Sequence, residues 1–144
     1  MITKEDQAIA QALRSLITKM TKRLRRQISN PSSLSVAEGS VLSILMNHKE
    51  VYPSELGAQL SISSQFMSQI LNRLEGLGYI SRRASPEDGR KTLVSLTKKG
   101  KGMIEESRQE REEWLADVIS DRYNSREKKV IKEALELLTT VADL

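Results

Sequence analysis

Residues 61–97 read SISSQFMSQILNRLEGLGYISRRASPEDGRKTLVSLT, and the change of period inside this stretch limits the possible folds more than any other feature. Placed at 100° per residue, Phe66, Met67, Ile70, Leu71, Leu74 and Leu77 share an arc of roughly 140°. The spacing predicts a helix over about 64–77, with Ser63 as its N-cap and Gly78 as a left-handed C-cap. Opposite the apolar arc lie Ser64, Gln65, Ser68, Gln69 and Asn72, with Arg73 at the edge. No acid appears on this helix before Glu75, whereas an ordinary solvent-facing side would be filled with Glu and Lys. The period then changes. Tyr79–Ala84 and Lys91–Leu96 are two β-rich runs, and Ser85-Pro86-Glu87-Asp88-Gly89 between them is dense in turn formers. A one-sided helix feeding a basic β-hairpin is therefore expected.

The flanking segments read as helices. Ser35 is a candidate N-cap, with Glu38 three residues on to complete a capping box, and Val41, Leu42, Ile44, Leu45 and Met46 supply the buried side. Pro53 opens a short helix packed through Leu56, Ala58 and Leu60. Ser61-Ile62-Ser63 then makes a tight turn into the 64–77 helix, which is a helix-turn-helix arrangement. Upstream, Ile9, Leu13, Leu16, Ile17, Met20, Leu24 and Ile28 form one long stripe, closed by Asn30-Pro31-Ser32-Ser33. Downstream, Thr97 caps a helix running toward Arg122 whose centre, Glu105 to Glu113, is almost wholly polar. After Asn124-Ser125 a last helix carries Val130, Ile131, Leu135, Leu137, Leu138 and Val141. The first stripe is too long for one small domain to bury, so it needs a further partner, either the C-terminal helices or a second subunit.

Charge is distributed unevenly. Residues 73–101 hold eight basic side chains against Glu75, Glu87 and Asp88, whereas 103–144 hold eleven acidic against seven basic. A basic middle beside an acidic tail suits a polyanion on one face, and duplex DNA fits best. The outward Gln and Asn side chains can make two hydrogen bonds to adenine, and Ser bonds more tolerantly. Other classes fit poorly. One histidine, His48, and no cysteine leave too few ligands for a transition-metal site and no nucleophile–base pair for an enzyme. The Lys98–Gly102 run does not match a phosphate-binding loop, so no cofactor is expected. The absence of cysteine, of a signal-peptide pattern and of a long apolar run points to a cytoplasmic protein off the membrane. The rival left standing is a winged-helix module that binds protein or RNA.

Together these fragments resemble the MarR family of winged-helix transcriptional regulators. The resemblance rests on Leu56…Leu60-Ser61-Ile62-Ser63, on Leu74-Glu75-Gly76-Leu77-Gly78-Tyr79-Ile80, and most on Asp88-Gly89-Arg90 followed by Leu96-Thr97-Lys98-Lys99-Gly100. It covers essentially the whole chain. It implies a mainly α fold with a small β-hairpin wing. One domain, 1–144, would contain a winged helix-turn-helix lobe at 35–97 flanked by dimerisation helices at 1–30 and 103–144. It also implies a homodimer on a pseudo-palindromic operator, acting as a repressor released by a small phenolic or anionic effector. Base reading would fall to Ser64, Gln65, Ser68, Gln69 and Asn72, and the minor groove to Arg90 oriented by Asp88. Arg73, Arg82, Arg83 and Lys91 would sit on phosphates, while Leu13, Ile17, Leu45 and Met46 are the candidate effector pocket. Two features depart from the usual pattern. Gly89 stands where relatives often carry a basic residue, and the lack of cysteine excludes thiol-based sensing.

Overall fold

The computed structural model describes residues 1–27 and 34–144, so Ile28 and the expected helix stop at Asn30-Pro31-Ser32-Ser33 lie outside the described residues. Six helices and one two-stranded antiparallel sheet are present among them, as the sequence pattern predicts. The chain divides into two compact units, Met1–Ile28 with Gln109–Leu144, and Ser29–Arg108.

The second unit contains α2 (Val36–Met46), α3 (Pro53–Leu60), α4 (Ser64–Gly76), β1 (Ile80–Ala84), β2 (Thr92–Leu96) and the start of α5 (Lys98–Arg122). Its core is one cluster: Val41, Leu42 and Leu45 from α2, Leu56 from α3, Met67, Ile70, Leu71 and Leu74 from α4, with Val51, Tyr79, Ile80, Val94 and Ile104. The hairpin pairs Ile80 with Leu96 through to Ala84 with Thr92. Val51 adds a third short edge, exchanging two backbone hydrogen bonds of 2.9 Å with Val94. This ties the wing to the residues entering α3, a contact that no local pattern announces.

Three expectations need correction. Phe66 is 47% exposed instead of buried, because it stands at one margin of the α4 arc while the core meets the other side, where Met67 and Leu71 are buried. Ala58 is exposed and stays outside the core cluster, since Leu56 and Leu60 define one face of α3 and a residue two positions from each points away. Ser35 does cap α2, accepting the Glu38 N–H at 3.2 Å, but the Glu38 carboxylate does not return to close the box. It is buried and ion-paired with Arg73 of α4 instead. Of the pocket candidates in this unit, Leu45 belongs to the core and Met46 packs against it. His48 bonds through Nδ1 to the Ile44 carbonyl at 2.8 Å, a plain helix-end contact.

The turn into α4 uses a left-handed Ser61 (φ 54°), after which Ser63 accepts the Phe66 N–H at 3.2 Å. The exit from α4 is a Schellman cap: the Gly78 N–H reaches the Glu75 carbonyl at 2.9 Å and the Tyr79 N–H reaches Leu74 at 3.0 Å. Gly78 takes φ +81°, which only glycine adopts without strain. The start of α5 is bolted to this exit. The Thr97 hydroxyl donates to the Gly78 carbonyl at 2.5 Å and accepts from the Gly100 N–H at 3.0 Å, while the Lys99 ammonium donates to the Leu77 carbonyl at 2.9 Å. Thr97-Lys98-Lys99-Gly100 is thus a lock that fixes the start of α5 against the end of α4.

The other unit comprises α1 (Lys4–Arg25), the distal part of α5 and α6 (Ser125–Ala142). Capping boxes start both terminal helices, Thr3 with Asp6 and Asn124 with Glu127. Arg23 stacks on the Trp114 ring at 5.1 Å. Neither α1 nor α6 buries a residue: Ile9, Leu16, Ile17, Val130, Leu135, Leu137 and Val141 all stand exposed, and Leu13 is half-buried. No helix among the described residues is long and apolar enough to cross a membrane.

Candidate nucleic-acid interface

The outward side of α4 keeps the chemistry that its sequence suggests. Ser64, Gln65, Ser68, Gln69 and Asn72 are all exposed, while Met67, Ile70, Leu71 and Leu74 anchor the opposite side in the core. The N-terminal turn of α4 carries no acid, so its positive dipole end is left uncompensated.

The wing stands beside this face. Its tip folds on Ser85, a buried serine whose Oγ accepts from the Glu87 and Asp88 N–H groups at 3.3 and 3.5 Å and shares a 2.7 Å hydrogen bond with the Tyr52 hydroxyl. Asp88 Oδ1 accepts from both the backbone N–H and the Nε of Arg90, at 3.1 and 3.3 Å. The Arg90 side chain is nevertheless 93% exposed, so Asp88 aims the guanidinium without covering it. Gly89 beside it has open space around its Cα, and a Cβ there would meet nothing within 4 Å. Lys91 lies over the Tyr52 ring at 5.7 Å.

The remaining arginines are more engaged than the sequence suggests. Arg83 grips Glu50 through Nε at 3.1 Å and a terminal nitrogen at 2.9 Å. Arg73 pairs with Glu38 across to α2. Arg82, on β1, forks onto both carboxylate oxygens of Glu75 on α4, at 3.1 and 2.9 Å, and donates to the Asn72 amide oxygen at 2.8 Å. Its hydrogen bond holds the Glu75 carboxyl below the usual carboxylate range, and the same bond raises Arg82 further above its ordinary value. Glu38, Glu50 and Glu75 are thus positioning partners that periodicity could not reveal, because each pairing joins two different elements. Tyr52 and Ser85 were equally silent in the sequence.

A cleft of about 540 Å³ opens along the same side of this unit, lined by Pro53 and Ala58 of α3, Ser64 and Ser68 of α4, Arg82 and Thr92 among others. No group of three or more metal-ligating side chains occurs among the described residues.

A family model described as the MarR family matches residues 32–91. A solved structure of a candidate transcriptional regulator from Pseudomonas aeruginosa is 32% identical, covers 99% of both chains and superposes with a TM-score of 0.81. The chain belongs to the MarR family. An HTH-type transcriptional regulator of Mycobacterium tuberculosis is 28% identical over 139 residues, 96% of this chain and 95% of that one. Wild-type MarR from E. coli in its apo form shares the fold, at 22% identity over 96% of this chain and 98% of that one, with a TM-score of 0.68. As a MarR-family member the chain is a DNA-binding transcriptional regulator and not an enzyme. MarR-family regulators bind DNA and act as dimers.

Proposed function

We propose that α4 enters the major groove of duplex DNA while the wing tip reaches an adjacent minor groove. The observation that carries this reading is the exposed, acid-free outer face of α4 beside an Arg90 that Asp88 aims into solvent. Gln65, Gln69 and Asn72 read base edges, Ser64 and Ser68 add tolerant contacts, and Arg90 supplies the minor-groove contact. Arg73, Arg83 and Lys91 lie against phosphates, and Arg82 flanks them from within its pairing to Glu75. The lobe at 35–97 works in two copies, joined through the terminal segments 1–30 and 103–144, in which the apolar stripes of α1 and α6 are uncovered in a single chain. Two-fold symmetry then sets two reading helices about one DNA turn, near 34 Å, apart on a pseudo-palindromic operator.

The chain acts as a cytoplasmic repressor, and a small phenolic or anionic effector releases it. Any effector that prefers the form unable to bind DNA must lower DNA affinity by the factor by which DNA lowers its own. Leu13 and Ile17 on α1 are one place for such a compound, whereas Leu45 is taken up in the core of the reading lobe with Met46 packed against it. The cleft beside α4 is a second place, since an occupant touching Ser64 and Ser68 would meet DNA directly.

Fluorescence anisotropy with random duplex DNA, titrated across salt, tests this reading. With Arg73, Arg83 and Lys91 from each of two lobes near phosphates, log affinity should fall steeply with log salt, each neutralised phosphate adding about 0.9 to the slope. Affinity independent of salt would contradict it.

A further inference from the structure

The tip of the wing is a closed loop with one side-chain anchor. The Ser85 N–H donates to the Lys91 carbonyl at 2.8 Å and the Lys91 N–H to the Asp88 carbonyl at 2.9 Å, which closes residues 85–91 on themselves. Among the described residues, the side-chain hydrogen bond and the cation–ring contact that leave this loop both end on Tyr52. Its hydroxyl meets Ser85 Oγ at 2.7 Å, and its ring lies 5.7 Å from the Lys91 ammonium. Tyr52 is itself held firmly. As the N-cap of α3 its carbonyl accepts from the Glu55 and Leu56 N–H groups at 3.0 and 3.2 Å, and Val51 beside it is bonded to Val94 of β2. Inside the loop the bonds run in series. Ser85 Oγ accepts from the Asp88 N–H, and Asp88 Oδ1 accepts from the N–H and the Nε of Arg90. Arg90, open to solvent, has no other side-chain partner among the described residues.

Building on the reading of Arg90 as the minor-groove contact, we propose that Tyr52 is a positioning residue for Arg90, its hydroxyl acting through Ser85 and Asp88. A guanidinium on a loop loses freedom when it enters a groove, and a tip already held in place loses less. The anchor also fixes a distance. Because Tyr52 begins α3, the bond refers the tip to the helix-turn-helix as well as to its own strands, so Arg90 is placed relative to the face of α4. Ser85 is buried, and without the phenol oxygen its hydroxyl loses the partner that fixes its rotamer. The Glu87 and Asp88 N–H groups then lose a fixed acceptor. Tyr52→Phe removes that oxygen alone. The ring stays for Lys91, and the backbone bonds that start α3 are untouched. The loss should therefore be felt by DNA only through Arg90.

The test is a double-mutant cycle on the intact dimer. Kd for one duplex, selected by the wild type from a random pool, is measured by anisotropy at fixed salt for wild type, Tyr52→Phe, Arg90→Ala and the double variant. Far-UV circular dichroism and thermal unfolding check that each remains folded. With Arg90 present, Tyr52→Phe should raise Kd by roughly two- to tenfold, the scale of one hydrogen bond. With Arg90→Ala in place, the same change should move Kd by less than about twofold. Tyr52→Phe should be equally silent on top of Ser85→Ala, which removes the next link of the relay. Equal losses with and without Arg90, no loss with Arg90 present, or a further loss on top of Ser85→Ala each overturn the proposal while leaving the groove contact of the wing in place. An unchanged Kd in Arg90→Ala removes that contact and the proposal with it.

Discussion

Two glycines on the first turns of α5 provide a matched pair of perturbations. A Cβ built on Gly100 would stand 2.1 Å from the Tyr79 carbonyl oxygen, 2.9 Å from its carbon and 3.0 Å from its Cα, whereas one on Gly102 meets nothing within 4 Å. Ordinary carbon–oxygen contacts lie at about 3.3 Å or more, so Gly100→Ala must push two backbone segments apart by roughly 1 Å. Neither segment can yield alone. Tyr79 is held by its N–H to Leu74 and by Thr97, whose N–H donates to the Tyr79 carbonyl at 3.0 Å, and Gly100 is held by the Thr97 hydroxyl. Overpacking of this kind costs about 1–3 kcal/mol, and losing one of the locking hydrogen bonds adds about 1 kcal/mol. A loss near 3 kcal/mol is therefore expected for Gly100→Ala, or roughly 10 °C in Tm for a chain of this size. Gly102→Ala should instead stabilise by up to about 1 kcal/mol, because alanine loses less backbone freedom in a helix. Urea unfolding at fixed protein concentration measures both, with similar m-values required for the comparison. If the two alanines behave alike, or Gly100→Ala is neutral, the lock between α5 and the end of α4 is wrongly described.

Three further outcomes are expected. Arg90→Ala should weaken DNA binding by about 1–3 kcal/mol at fixed salt while leaving Tm unchanged, and an unaltered Kd would remove the wing from the interface. Glu38→Gln should cost about 1 kcal/mol in urea unfolding, since it takes from Arg73, itself partly exposed, its charged partner on α2; no change would show that pair to be idle. Asp6, whose carboxyl the Thr3 hydroxyl and backbone N–H hold below its usual range, titrates lower in the folded than in the unfolded chain. Its contribution is present above the ordinary aspartate range and is lost as pH falls through the depressed value. The Tm difference between wild type and Asp6→Asn should therefore shrink on acidification, and a difference independent of pH would contradict the capping box.

Periodicity made the elements of the reading lobe legible, and it failed where side chains are claimed by another element. The α4 face was readable because Met67, Ile70, Leu71 and Leu74 recur at helical spacing toward one core. Phe66 was misplaced because a helical wheel gives a direction but not how far the core extends at the arc's margin. Glu38 satisfied a local capping rule, yet the Arg73 contact takes its carboxylate, which no window of neighbouring residues could reveal. The same applies to Arg82 and Arg83. Their charge suggested phosphates, while Glu75 and Glu50 lie distant in sequence or on another element and already engage them. Thr97-Lys98-Lys99-Gly100 was recognisable only as part of a family pattern. The structure supplies its physical reason, in a hydroxyl that bridges Gly78 to Gly100 and a glycine pressed on Tyr79.

Hydroxyl-radical footprinting of the intact protein, on a duplex selected from a random pool, tests the paired-reader account most directly. Two symmetric protected half-sites, their centres about 10 base pairs or a whole-turn multiple apart, with minor-groove protection flanking each, are the expected pattern. A single unpaired footprint, or protection that persists unchanged in Arg90→Ala and Gln69→Ala together, would contradict it.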